Sequence, residues 1–313
     1  MKLIELFSGV GTQRKAFENI YGNKIETIGI SEIDQRAIKA YNILHGKTYN
    51  FGDITKIQQL PSADIWTYSF PCTDLSIAGK KKGFEGEHSS LLFQVKRLLE
   101  NSPKPKILIM ENVANLVSKT FIDDFNKWLD YLSNLGYTTT WKKVKAYEYG
   151  GVSIRNRVFA VSILGKEKYI FPQITGTKMT IKDILESPIE ELKIDNLLLY
   201  KNNEEKNFKN SIKIADYNNG GQGNRIYSIN GQGVALTATG GGKAGSSGGL
   251  YAREDGIYKL SSIEMIKLMG WNREDAIKLN NNLTRNEVGF LMGNAIDLKV
   301  MEKIVEGLKE FIK

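Results

Sequence analysis

The sequence predicts an α/β fold: a doubly wound, mostly parallel sheet with helices on both faces, plus a smaller irregular or β domain. Three observations predict it. Short apolar runs alternate with amphipathic helical patterns through the first 165 residues, as strand–helix–strand crossovers require. The texture then changes to an irregular, Lys- and Asn-rich stretch over 166–210. From Gly220 to Gly249, 11 of 30 residues are glycine. That density suits loops whose backbone approaches something closely, and it argues against a packed helix or a regular central strand.

In order, KLIELF (2–7) reads as a buried strand, followed by a helix near Gln13 to Asn19 and a second strand at KIETIGI (24–30). Ile33, Ala37, Tyr41 and Leu44 recur at helical spacing and predict one helix face. A strand end is expected at Asp53 in FGDIT. DIWTYSF (64–70) is a further strand, Leu91 to Leu99 a helix, KILIME (106–111) a strand and Phe121 to Leu135 a helix. Helical patterns return at Ser261–Met269 and Asp297–Ile312, the last packing back on the first domain. The expected division is 1–165 for the first domain, 166–285 for the second domain and 286–313 for the returning helix.

The chain has 313 residues, 41% hydrophobic and 25% charged, enough for a real core. One cysteine cannot form an internal disulfide, which favours a reducing compartment such as cytoplasm. Two histidines, His45 and His88, and no zinc-type spacing give no expected metal site. The N-terminus has no signal-peptide pattern, and no run nears the roughly 20 apolar residues of a membrane span. The net charge of +8 suits a polyanionic partner.

The first strand ends in LFSGVGT (6–12), where Gly9, Val10 and Gly11 make a glycine-rich turn into a helix. Such a turn offers backbone N–H groups to a ligand; the plainer reading is a tight turn with none. Glu32 follows about 20 residues later, where a carboxylate could accept bonds from ribose hydroxyls. NAD and S-adenosylmethionine both fit this pattern. Arg14 stands where a dinucleotide fingerprint has its third glycine, which counts against NAD. Asp53 reads as a ligand or as a turn aspartate. Cys72, in SFPCTDLSIAGKKKG, follows a strand and Pro71, at the edge where open α/β sheets bind ligands. Lys80, Lys81 and Lys82 would favour a thiolate there, although a solvated loop is equally plausible. Glu111 ends a buried strand, which is unusual for a carboxylate without a partner or a role. Arg155 and Arg157 alternate in SIRNRVF and would share one face; a surface arginine pair is the alternative.

Together these segments resemble the DNA cytosine methyltransferases that modify ring carbon 5, of the type II restriction–modification kind. PCTDLSIAG resembles that family's nucleophile motif, with Thr73 and Leu75 as departures. ENV (111–113) and RNR (155–157) are similar to its glutamate and paired-arginine motifs, although Ser153 stands where the family usually has glutamine. LFSGVGT resembles its cofactor loop with Thr12 for a second glycine, and GNAI (293–296) its C-terminal motif. SSIEMIKLMGW is similar to the segment that packs the two domains together. GGQGNRIYS (220–228) and ALTATGGG (235–242) resemble the recognition loops of such enzymes. The resemblance implies a Rossmann-like domain and a target-recognition domain. It implies Cys72 as nucleophile, Glu111 at ring nitrogen 3, and Arg155 and Arg157 at the base. S-adenosylmethionine would be the cofactor, held by Phe7, Gly9, Val10, Gly11, Glu32, Ile33, Asp53, Ile54, Pro71, Leu91, Asn294 and Ala295. Ile33 stands where relatives often carry an aromatic. Double-stranded DNA would be the partner, met by Gln222, Arg225, Gly240, Gly241 and Gly242, with Arg225 reading a guanine. A cytoplasmic monomer is expected, with room for a cognate restriction endonuclease acting on the same site. A tRNA cytosine methyltransferase, an inactive DNA-binding homologue and, last, a nicotinamide oxidoreductase are the alternatives.

Overall fold

The computed structural model describes residues 1–71, 91–174, 176, 179–194, 199–200, 206–208, 210–218 and 220–312. Its main sheet holds β1 (Lys2–Leu6), β2 (Glu26–Ser31), β3 (Ile65–Tyr68), β4 (Ile107–Val113), β5 (Tyr137–Lys145) and β6 (Asn156–Leu164) in the order β2-β1-β3-β4-β6-β5. The strands β2, β1, β3 and β4 are parallel; β6 runs antiparallel to both β4 and β5. Side chains alternate between two apolar cores. Leu3, Ile65, Ile107 and Ile109 enter one, and Ile4, Trp66, Leu108 and Met110 the other. This is the two-residue period of strands covered on both faces.

Helices α3 (Leu91–Asn101) and α4 (Ile122–Asn134) cover the second core through Leu92, Val95, Phe125 and Trp128. Helices α1 (Thr12–Tyr21) and α2 (Gln35–His45) cover the first through Ala16, Phe17, Ala37 and Ala40. The chain leaves β1 for β2 on one side and later returns to β3 on the other. Crossovers on opposite faces part there, so a crevice opens beyond the carboxyl ends of β1 and β3.

The C-terminal region holds four helices: α5 (Ser262–Leu268), α6 (Arg273–Asn280), α7 (Arg285–Asn294) and α8 (Leu298–Glu306). The sequence patterns indicated only the first and last. Gly289 and Gly293 weaken the helical signal of α7, and the fold explains them. A Cβ at Gly293 would lie 2.4 Å from the Ala238 backbone nitrogen, and one at Gly289 would lie 2.4 Å from Ser246 Cβ. Two other expectations also change. No strand ends at Asp53; a single bridge joins Ile30 to Asn50, and Asp53 caps a short turn by accepting from Thr55 N. Ile33 is 67% exposed and precedes α2, whose cap is Asp34.

The second sheet contains β7 (Leu199–Tyr200), β8 (Lys206–Phe208), β9 (Ser211–Tyr217), β10 (Arg225–Ser228), β11 (Leu250–Arg253) and β12 (Gly256–Tyr258). Its order is β12-β11-β10-β9-β7, with β8 also on β9. The glycine-rich stretch therefore does contain an inner strand, β10, at the glycine-free run RIYS. A buried carboxylate ties this sheet to the helices. Glu264 of α5 accepts from Arg253 Nη2 of β11 at 2.7 Å, from Glu186 N at 2.9 Å and from Ser261 N at 2.8 Å. No described helix is long and apolar enough to cross a membrane.

Helix α8 packs on α1, where Tyr21 Oη donates to Val305 O and Tyr169 Oη to Ile304 O. Ile304 is fully buried in the first core. Ile304→Ala should therefore cost about 2–5 kcal/mol of stability, measured by denaturant unfolding; a loss below about 1 kcal/mol would mean that α8 adds little to the core.

Candidate active site

The crevice forms a cavity of about 430 Å³ at the ends of β1, β3 and β4. Its floor is the glycine-rich turn. Phe7 sits at φ 57°, Gly9 at 55° and Gly11 at 78°. Only Phe7 pays a steric cost there, about 1–3 kcal/mol, which the surroundings must hold. Gly11 has a second reason to be glycine: a Cβ would lie 2.6 Å from both Tyr41 Cε2 and His45 Nε2.

Glu5 holds the turn from below. It shares a face of β1 with Leu3 and has no exposure. Its carboxylate accepts from Arg14 N at 3.0 Å and from Tyr41 Oη at 2.6 Å. Burial pushes this carboxyl above its ordinary range, and the Tyr41 and Arg14 donors offset that only in part. The Arg14 guanidinium binds Glu18 Oε1 at 2.6 Å, Thr48 Oγ1 at 2.7 Å and His45 O at 3.2 Å. The residue in the third-glycine position thus braces α1 against the end of α2. Glu5 escaped the sequence reading, although an acid in the middle of the apolar run LIELF was a visible signal.

Glu32 forms one wall. Its Oε2 accepts from Gly9 N at 2.9 Å, and its Oε1 accepts from Ile33 N at 2.8 Å and Asp34 N at 2.9 Å. Asn50, also missed, fixes this loop. Its Oδ1 accepts from Glu32 N and Gly52 N, and its Nδ2 donates to Glu32 O.

The opposite wall follows β3 and β4. Asn112 Nδ2 donates to Phe70 O at 2.8 Å, and Gln13 Nε2 to Ser69 Oγ at 3.2 Å. These bonds fix the chain just before Pro71. Cys72 and Lys80–Lys82 lie outside the described residues. Glu111 is buried, with Oε1 3.0 Å from Arg157 Nε. Burial raises its carboxyl above the ordinary range despite the two arginines and Ser69, which pull the other way.

Phe7, Gly9, Val10, Glu32, Ile33, Asp53, Ile54, Pro71, Leu91, Asn294 and Ala295 line the cavity together with Glu111 and Arg157. Gly11 and Arg155 are not among the lining residues. Arg155 precedes β6 and is buried behind the wall, where Nη2 donates to Gly293 O at 3.0 Å and Ala295 O at 2.6 Å. Burial lowers its guanidinium to about 9. Its Nε and Nη1, and Asp297 Oδ2, are buried without a protein hydrogen-bond partner; Arg155 and Asp297 line one small void. Gln222, Arg225 and Gly240–Gly242 belong to the second sheet and its loops, away from the cavity. Among the described residues, no three His, Cys, Asp or Glu side chains cluster as a metal site.

A family model of C-5 cytosine-specific DNA methylases matches residues 1–310. The type II methyltransferase M.HhaI of Haemophilus parahaemolyticus is 30% identical, over 97% of this chain and 93% of its own. The orphan methyltransferase M.SssI of Spiroplasma monobiae is 28% identical, over 98% and 96%. Among solved structures, Entamoeba histolytica methyltransferase EhMeth aligns with a TM-score of 0.77 at 18% identity, covering 100% of this chain and 99% of that one. At that identity the structural likeness supports the Rossmann-like fold alone.

Asp297 caps α8 by accepting from Lys299 N and Val300 N, and burial raises its carboxyl to about 6 from 3.8. The folded state therefore holds this proton more tightly than the unfolded chain, so its contribution falls as pH rises from about 4 to 6. Asp297→Asn keeps an acceptor for the cap and removes the titration. Its stability relative to the parent should rise by on the order of 2 kcal/mol across that window, measured by urea unfolding at stepped pH. A pH-independent difference would rule out the assignment.

Proposed function

The chain belongs to the C-5 cytosine-specific DNA methylase family, and from that premise we propose a site-specific transfer of methyl from S-adenosylmethionine to carbon 5 of a cytosine flipped out of duplex DNA. The observation that carries this reading is one cavity that holds the glycine turn, Glu32, Glu111, Arg157 and Asn294 together.

The residues fit that cofactor. A volume of about 430 Å³ lies within the roughly 300–1,000 Å³ of small-molecule sites. Phe7, Gly9, Val10, Glu32, Ile33, Asp53, Ile54, Leu91, Asn294 and Ala295 would surround it, and Pro71 would aim the reactive loop towards it. When bound, the cofactor supplies an electrophilic methyl group on a sulfonium.

Carbon 5 of cytosine is a weak nucleophile. In the proposed reaction the Cys72 thiolate adds to carbon 6, and the electrons of the 5,6 double bond shift through carbons 5 and 4 onto ring nitrogen 3. Glu111 donates a proton to ring nitrogen 3. Burial raises the affinity of this carboxyl for a proton, which suits the role, and Arg157 at 3.0 Å keeps its oxygen in place. Carbon 5 would then bond to the methyl carbon as that carbon's bond to the sulfonium sulfur breaks, leaving a neutral thioether. Loss of the carbon 5 proton to solvent would restore the double bond and expel the thiolate, while the proton on ring nitrogen 3 returns to Glu111. Arg157 would also contact the base. Arg155 acts through the Gly293 and Ala295 carbonyls, shaping the cofactor wall. Flipping costs a few kcal/mol of stacking and pairing. The second sheet within 166–285 would meet the duplex, with Gln222, Arg225 and Gly240–Gly242 at its DNA face.

Cys72→Ala should abolish methyl transfer and leave duplex binding intact, checked by radiolabelled methyl incorporation beside a binding titration; retained turnover would refute the covalent route. Glu111→Gln should lower single-turnover transfer by about 10²–10⁴, with S-adenosylhomocysteine affinity unchanged by calorimetry. An unchanged rate would remove Glu111 from the proton step.

A further inference from the structure

The two glycine loops of the second sheet do not stand apart; they interlock. Gly223 packs so closely on the other loop that a Cβ would lie 1.7 Å from Gly241 O. A Cβ on Gly242 would lie 2.6 Å from Asn224 Oδ1 and 2.8 Å from Gln222 O. Backbone bonding continues the contact, with Ala244 N donating to Gly223 O at 2.8 Å. Glycine is thus required here first by backbone-on-backbone packing between the loops.

One side chain spans the junction. Asn224 Nδ2 donates to Gly220 O at 2.9 Å, within its own loop. Its Oδ1 accepts from Lys243 N at 2.8 Å, in the other. Its backbone carbonyl accepts from Tyr217 N at 2.7 Å, which anchors the junction to β9. The Lys243 ammonium lies 5.7 Å from the Tyr217 ring centre, over the same junction. Arg225 follows at the start of β10, and Gln222 precedes by two residues.

We propose that Asn224 is a specificity-positioning residue: its amide clasps residues 220–224 to residues 240–245, so that Gln222, Arg225 and Gly240–Gly242 meet the duplex as one rigid element. This rests on the reading that these loops face DNA. Asn224 itself need not touch a base. Without the clasp, the loops must be ordered at the moment of binding, and that cost falls on duplex affinity and sequence discrimination, not on the chemical step.

The test uses the full chain. Asn224→Ala should raise KM for the cognate duplex about tenfold and change kcat far less, a loss equivalent to about 1.4 kcal/mol. Discrimination against duplexes with one altered base pair should fall by about the same factor. S-adenosylhomocysteine affinity, read by calorimetry, should hold, because that cavity is formed by other elements. Amide exchange over 240–245 should accelerate. Gly242→Ala, which opens the same junction from the other loop, should also weaken discrimination, and the double variant should be no worse than the poorer single one. Parental KM and discrimination in Asn224→Ala would overturn the proposal. If Asn224→Ala also loses S-adenosylhomocysteine, Gly242→Ala decides on the same criteria. If the parent binds S-adenosylhomocysteine yet methylates no duplex, the DNA reading fails. Exchange over 240–245 then judges the clasp alone, and parental exchange in Asn224→Ala would reject it.

Discussion

A carboxylate with no solvent exposure sits beneath the glycine turn, and the geometry of the site depends on it. Glu5 receives a first-turn N–H of α1, at Arg14, and the hydroxyl of Tyr41 on α2. One side chain thereby fixes β1, α1 and α2 relative to one another. An uncompensated buried carboxylate would be costly; here its two oxygens have donors, and Arg14 carries positive charge nearby. The turn above it holds Phe7 and Gly11 in left-handed backbone, and Tyr41 and His45 leave no room for a side chain at Gly11. The strain in the turn and the buried charge below it belong to one structure.

The two arginines of RNR divide their work by burial. Arg157 reaches the cavity and pairs with Glu111. Arg155 stays behind the wall and holds the carbonyls on both sides of Asn294. Each lies near Glu111, yet only one can meet a substrate. A carboxyl between them would ionise readily in water. Desolvation outweighs that pull, so Glu111 keeps a raised affinity for its proton while remaining fixed in direction. Those two properties suit the proton transfer proposed for it, and neither the strand alone nor the charges alone would give both.

The parallel part of the fold was legible because its signal is local. Alternating apolar runs announced β1 to β4, and the turn residues after β1 and β3 announced the crevice. The segment before Asp53 misled: its place in the chain suggested a strand end, but it makes a single bridge at Asn50, whose side chain bonds to Glu32 and Gly52. Helix α7 was hidden by Gly289 and Gly293, whose purpose is tertiary. Arg155 and Arg157 looked alike at two-residue spacing, but Arg155 lies outside β6. The same blindness applies to the glycine loops. Their density suggested contact with a ligand, whereas much of it serves contact between the loops. Sequence shows which backbone must come close to something; it does not show to what.

The cavity is discontinuous in the chain, and this has a thermodynamic consequence. Its floor comes from residues 7–10, one wall from 32–54, another from 69–71 and 111–113, and the last from 290–296. Arg155 joins the third of these to the fourth, and Asp297 starts the helix that packs on α1. A ligand in this cavity therefore touches the first and last segments at once and favours only the state in which both are docked. At a hundredfold excess over its dissociation constant it would add about 2.7 kcal/mol to the whole fold. That stabilisation would be shared between α8 and the sheet, because neither completes the site without the other. Ligand occupancy of the cavity and docking of the C-terminal segment on the sheet are thus coupled equilibria.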